Sequence, residues 1–161
     1  MPTTSFDTLS NDARIWVYAA DRALTDAEVG RIEHELQAFT TDWTSHGAAL
    51  HAAASVFDHR FVVIDLDTHE SSASGCSIDK SLRAVQQLEQ GLQLSLTNRL
   101  FVWVVGPNGW EKWSVGSAKK AWENKLWPAE TFLADTTAST KCAWLNSRRA
   151  LPENSWLAKV R

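Results

Sequence analysis

Residues 50–66 read Leu50-His51-Ala52-Ala53-Ala54-Ser55-Val56-Phe57-Asp58-His59-Arg60-Phe61-Val62-Val63-Ile64-Asp65-Leu66. Two runs, Leu50–Phe57 and Arg60–Leu66, flank Asp58-His59, which predicts a β-hairpin. In the second run Phe61-Val62-Val63-Ile64 is apolar on both faces, as a strand in the middle of a covered sheet must be. Upstream, Thr25-Asp26-Ala27-Glu28 has the form of a capping box. Val29, Ile32, Leu36, Phe39 and Trp43 then recur at spacings of three and four, one stripe of a helix that Gly47 is expected to stop. Before it, Arg14-Ile15-Trp16-Val17-Tyr18 is β-branched and aromatic, a strand. Downstream, Thr68–Gly75 is a small-polar loop. Ile78, Leu82, Val85, Leu88 and Leu92 form the stripe of a second helix, and Leu100–Val105 is another two-faced strand. Gly106-Pro107-Asn108-Gly109 closes that strand with a turn signal.

The order strand, helix, strand, strand, helix, strand predicts an α+β protein with a ferredoxin-like βαββαβ core. Two helices then cover one sheet face, and the apolar central strands require a cover for the other. The Trp-rich segment from Trp110 onward is the expected cover; a second copy of the chain, as a homodimer, is the alternative. Trp110–Val115 reads as an extra strand, Ser117–Leu126 as helical and Thr131–Ala134 as extended. Ser139–Arg149 reads as a helix capped by Ser139. The expectation is one domain over 1–161, with a flexible arm at 1–12, the core at 13–106 and an α/β extension at 107–161.

The chain has 161 residues, 44% hydrophobic and 22% charged, with 7 Gly and 4 Pro, which excludes collagen-like, linker-like and largely disordered classes. Its longest apolar run is far short of a membrane-spanning helix, which needs ~20 residues. No signal peptide and no membrane partner are expected. Two cysteines, Cys76 and Cys142, make no disulfide framework and suit a reducing cytoplasm. Residues 1–105 carry 7 Lys and Arg against 14 Asp and Glu, whereas 106–161 carry 9 against 5. Six of the nine Trp lie in that basic part. Basic residues among aromatics can bind single-stranded nucleic acid. A pI near 5.9 and the absence of RNP, KH or zinc-finger patterns argue instead that the acidic body attracts the basic tail, with Trp filling the contact; no nucleic-acid partner is expected.

The stretch richest in chemistry is Ser74-Gly75-Cys76-Ser77-Ile78-Asp79-Lys80-Ser81. It enters a helix, where Ser74 or Ser77 can cap and the backbone amides near Gly75, Cys76 and Ser77 favour an anion. The same field, with Lys80 one turn on, activates a thiol. Two readings of this stretch follow: a small anionic ligand bound by Ser74, Gly75, Cys76, Ser77, Asp79 and Lys80, or a thiol enzyme; a third, independent of it, is a non-enzymatic interaction or dimerisation module that pairs two chains through a Trp-rich surface or an open sheet face. In the second, Cys76 is the nucleophile and His46 or His69 the base. A buried hydrophobic Cys76 among ordinary capping serines is the plain structural alternative. The ferredoxin-like order gathers Trp43, His46, Gly47, His69, Glu70, Asp12 and Arg14 at the same end. The opposite end gathers Asp21, Arg22, His59 and Arg99. The five His and two Cys lack metal-ligand spacing, so no metal and no cofactor is implied. Gly75 to Ser81 echoes the tail of a phosphate-binding loop, but the second Gly before Lys is missing. Ile64-Asp65 is the only arguable Mg²⁺ partner.

The chain resembles a family of uncharacterised bacterial proteins of about this length that often carry the label "ABC transporter ATPase". The matching residues are Arg14–Tyr18, Asp21-Arg22, Leu24-Thr25-Asp26, Trp43 with His46-Gly47, and above all SGCSIDKS at Ser74–Ser81. Thr140-Lys141 and Ser155-Trp156 match towards the C-terminus, so the likeness runs from Arg14 to about Trp156. The family pattern has His after the final Ser-Trp, where this chain has Leu157. The resemblance implies no established activity, and these residues do not support the ATPase label.

Overall fold

The computed structural model describes residues 5–69 and 71–160. Strand β1 (Arg14–Ala19) leads into helix α1 (Asp26–Asp42) and a small hairpin, β2 (Thr44–Ser45) and β3 (Ala48–Ala49). The long hairpin β4 (His51–Phe57) and β5 (Phe61–Asp67) follows, then helix α2 (Gly75–Leu92). The rest is β6 (Phe101–Gly106), β7 (Gly109–Ser114), α3 (Val115–Glu123), β8 (Phe132–Leu133) and α4 (Lys141–Ser147). The fold is α+β, and its sheets are antiparallel.

β5 is central in a three-stranded sheet of order β1-β5-β4, with Ile64 opposite both Trp16 and Ala54. Every residue from Phe61 to Leu66 is buried, as its two-sided apolarity requires. Asp58 and His59 turn the hairpin at φ 54° and 53°. Helices α1 and α2 cover one face, where Ile32, Leu36, Trp43, Val85 and Leu88 pack on Val62, Ile64 and Leu66. α1 begins at a closed capping box: the Thr25 hydroxyl accepts from the Glu28 amide at 3.1 Å, and the Glu28 carboxylate accepts from the Thr25 amide at 3.0 Å. Trp43 lies just past the helix rather than on its last turn. Gly47 does not stop the helix either. It shares the β2–β3 turn with His46, at φ 80° and 49°, because a two-residue hairpin turn needs two left-handed residues.

The four-stranded ferredoxin-like sheet does not form. In that arrangement β6 would lie beside β1; instead it pairs with β7 and β8 in a second sheet of order β7-β6-β8. The outer edge of β1 is taken by other groups. The Ile15 amide donates to the Ser139 carbonyl at 3.0 Å, and the Lys141 and Cys142 amides donate to Ala13 and Asn11 at 2.9 and 2.8 Å. β6 meanwhile finds a partner across the four-residue turn at Gly106–Gly109, a short and entropically cheap closure.

The far face of the first sheet is covered by the chain itself. Ile15, Val17, Phe61 and Val63 pack against Phe6, Trp103, Ala134 and Trp144. The Trp-rich extension therefore supplies much of the cover. Trp103 of β6 and the chain start supply the rest, so the expected flexible arm is ordered from Ser5 onward; residues 1–4 of it lie outside the described residues. Phe6 and Leu9 are buried, and the Lys141 ammonium donates to their carbonyls at 2.7 and 2.8 Å. At α4 the cap is Thr140, whose hydroxyl accepts from the Ala143 amide, not Ser139, whose carbonyl is spent on β1. Among the described residues, no helix is long and apolar enough to cross a membrane.

Candidate functional site

At the start of α2 the Ser74 hydroxyl accepts from the Ser77 amide at 3.2 Å, satisfying the third amide of the helix. Gly75 and Cys76, the first two helical residues, are exposed, as are Asp79 and Lys80. The Gly75 and Cys76 amides fall within the first turn, where no intrahelical acceptor exists. The Ser77 hydroxyl turns back to the Ser74 carbonyl at 2.8 Å and is buried. The buried face of α2 keeps Val85 and Leu88 of the expected stripe, with Leu92 partly buried beside them, but at its start it turns in Ser77 and Ser81, and Leu82 is 37% exposed. Small side chains at 77 and 81 let the Trp43 indole reach the helix backbone, where its N–H donates to the Ser77 carbonyl at 2.9 Å.

That bond brings the end of α1 to the start of α2, as the sequence order predicts for this end of the sheet. His69 also arrives there. Its Nε2 lies 3.1 Å from Asp12 Oδ1, and this hydrogen bond and charge raise the His69 pKa. The Ser10 hydroxyl, followed by His69, holds the Asp12 carboxylate below its ordinary value. Both are surface groups. His46 is exposed on the β2–β3 turn, and Glu70 lies outside the described residues. Among the described residues, neither His46 nor His69 is hydrogen-bonded to Cys76, so the structure assembles the end of the sheet but not a thiol–imidazole pair. The opposite-end candidates are each engaged by a partner of their own. His59 pairs with Asp26 at 2.8 Å, and Asp21 accepts from the Ser95 amide. Arg22 forks onto Glu28 at 2.8 and 2.7 Å, which holds that carboxyl at about 2.

Asp65 is no metal partner for an ATP site. It is fully buried in mid-strand β5, with neither carboxylate oxygen hydrogen-bonded. Burial raises its pKa to about 7, against the pull of Lys141 and of the nearby amides of Asp65 and Ala53. Among the described residues, no three His, Cys, Asp or Glu gather as a metal site.

A cleft runs along the outer edge of β1. It has a volume of about 510 Å³ and is lined by Arg14, Trp16, Val17, Arg99, Ser139 and Trp156 among others. Arg14 stacks over the Trp16 ring at 4.7 Å and Arg99 over Tyr18 at 5.6 Å. The Arg99 guanidinium also donates to the Val17 carbonyl at 2.9 Å. A second cleft of about 420 Å³ lies between Trp122, Trp127 and Pro152. No family model, no curated protein and no solved structure matches this chain.

Proposed function

We propose that the protein is a binding domain for a small anionic ligand, held at the N-terminus of α2. The exposed amides of Gly75 and Cys76 are the donors, and Lys80 adds charge one turn along. The observation that supports this reading is the open first turn. Ser74 serves the Ser77 amide, while the two preceding residues face solvent at the positive end of an 18-residue helix dipole. A titration with inorganic phosphate, followed by amide NMR, tests it. Gly75 and Cys76 should move most, and Lys80→Gln should weaken binding several-fold. Gly75→Pro is the sharper variant. Proline fits the first helical position and removes one donor, and Ser74 already has the extended backbone a following proline needs (ψ 168°). Unmoved Gly75 and Cys76 amides, or undiminished binding in Gly75→Pro, would overturn the reading.

The exposed thiol on this same turn favours a second reading, a Cys76-dependent thiol enzyme with His46 or His69 as base. A cytoplasmic setting, which keeps thiols reduced, accords with both readings. Iodoacetamide alkylation across pH separates them: a Cys76 midpoint at or above ~8.5, the free-thiol value, removes the enzyme reading.

A further inference from the structure

We propose that the cleft along the outer edge of β1 is a separate binding site for a small organic dianion with a flat apolar body, gripped between Arg14 and Arg99. Its lining shares no residue with the start of α2. Among the described residues that line it, two are guanidiniums and none is a carboxylate. The nearest acid on the flanking loop, Asp135, is occupied by the Thr137 amide and hydroxyl, at 2.9 and 2.5 Å. The Arg14 guanidinium lies over the Trp16 ring and the Arg99 guanidinium donates to the Val17 carbonyl, so both cations flank the outer edge of β1 in one cleft. Arginine forks bind carboxylate or phosphate oxygens in bidentate fashion. Trp16 and Trp156 also line the cleft, and the Trp156 indole nitrogen is buried and, among the described residues, without a hydrogen-bond partner.

The strand edge itself argues for a small molecule over a peptide. Ile15 donates outward to Ser139, and by period-two alternation Val17 and Ala19 also face outward. Ser139 closes the edge below Val17. Above it, the Trp103 indole donates to the Ala20 carbonyl and the Asp21 amide to Ser95. Strand addition by a peptide needs a longer free run of backbone. A volume of about 510 Å³ lies within the ~300–1,000 Å³ of ordinary small-molecule sites.

Terephthalate, with its neutral diamide as control, is the probe. In ¹H–¹⁵N NMR at low salt, terephthalate should shift the Trp156 indole signal and the Arg99 guanidinium signal, and the diamide should not. Arg14→Gln and Arg99→Gln should each weaken binding about tenfold, with unchanged amide spectra elsewhere. Arg14 is exposed, so its variant tests the site even if Arg99→Gln disturbs β1. Equal shifts from the diamide, or unchanged affinity in Arg14→Gln, would overturn the proposal. Shifts confined to Gly75 and Cys76 would also overturn it while leaving the α2 reading standing.

Discussion

The two faces of the β1-β5-β4 sheet are closed by different physics. On the helix side, Ile32, Leu36, Val85 and Leu88 press on Val62, Ile64 and Leu66, and the buried polar links are neutral, such as the Trp43 indole on the Ser77 carbonyl. On the far side the cover comes from both ends of the chain, and charge is buried with it. Lys141 is 5% exposed and Asp65 not at all, while the Arg60 guanidinium lies over Trp103 and Trp110 at 5.0 and 5.7 Å. A helix brings its own backbone satisfied. Irregular segments such as 5–13 do not, and here Lys141 answers two of their carbonyls. The far side thus depends on specific polar links where the near side depends on packing.

The variant that breaks this contrast most sharply is Lys141→Met. It removes the charged donor of the Phe6 and Leu9 carbonyls and the cation whose pull opposes the rise of the Asp65 pKa. Loss of two buried hydrogen bonds from a charged group, at about 1.5–3 kcal/mol each, should appear in urea unfolding. The double variant Lys141→Met with Asp65→Leu should recover part of that loss. If Lys141→Met costs under about 1 kcal/mol, the far side is held by packing alone and the contrast fails.

Next in size is the pH response of Asp65. Its folded-state pKa is raised from 3.8 to about 7, so between those values the folded protein holds a proton that the unfolded chain has released. Stability from this group is therefore fully present below about pH 4 and lost as pH rises through 7. At ~1.4 kcal/mol per pKa unit, the full change is on the order of 4 kcal/mol as an upper bound. Thermal unfolding from pH 4.5 to 8 should show the decline, and Asp65→Asn should flatten it. A decline that persists in Asp65→Asn would assign it to another group.

The helix side supplies the smaller comparison. Trp43→Phe keeps a ring in the core but removes the bond to the Ser77 carbonyl, which keeps its intrahelical partner in α2. A loss of roughly 1 kcal/mol is expected, with little change in its pH dependence. A pH-dependent loss would mean that the two faces are coupled through β5.

The same contrast separates what was legible in the sequence from what was not. β5 declared its central place because Phe61–Ile64 offers no polar face, and α1 declared its start through Thr25 and Glu28. Both signals are local. The exclusion of β6 from the edge of β1 is not local, since nothing near Val102 or Val104 reports that Ser139 will occupy that edge. The order of residues 5–12 escaped for the same reason: Phe6 and Leu9 have no period, and their anchor is Lys141, some 130 residues away. At the candidate site, Ser74 and the exposed first turn of α2 were readable from the small-polar run. The inward turn of Ser77 and Ser81 was not, because it answers Trp43, just past the end of α1. Arg99 sits in Asn98-Arg99-Leu100 without any motif, and only the fold sets it beside Arg14.

The smallest effect tests whether a local signal carries local energy. Thr25→Ala removes the hydroxyl that accepts from the Glu28 amide, and loss of such a cap costs about 1 kcal/mol. Glu28 would keep its fork with Arg22, so the reciprocal half of the box survives in part. The cost should appear in urea unfolding with an unchanged slope, because α1 remains packed through Ile32 and Leu36. It should also add to that of Lys141→Met, since the two sites share no partner and act on opposite faces of the sheet. A double variant losing clearly more or less than the two single losses combined would show that the helix side and the far side do not stand independently, and the contrast between them would have to be redrawn as one cooperative unit spanning β5.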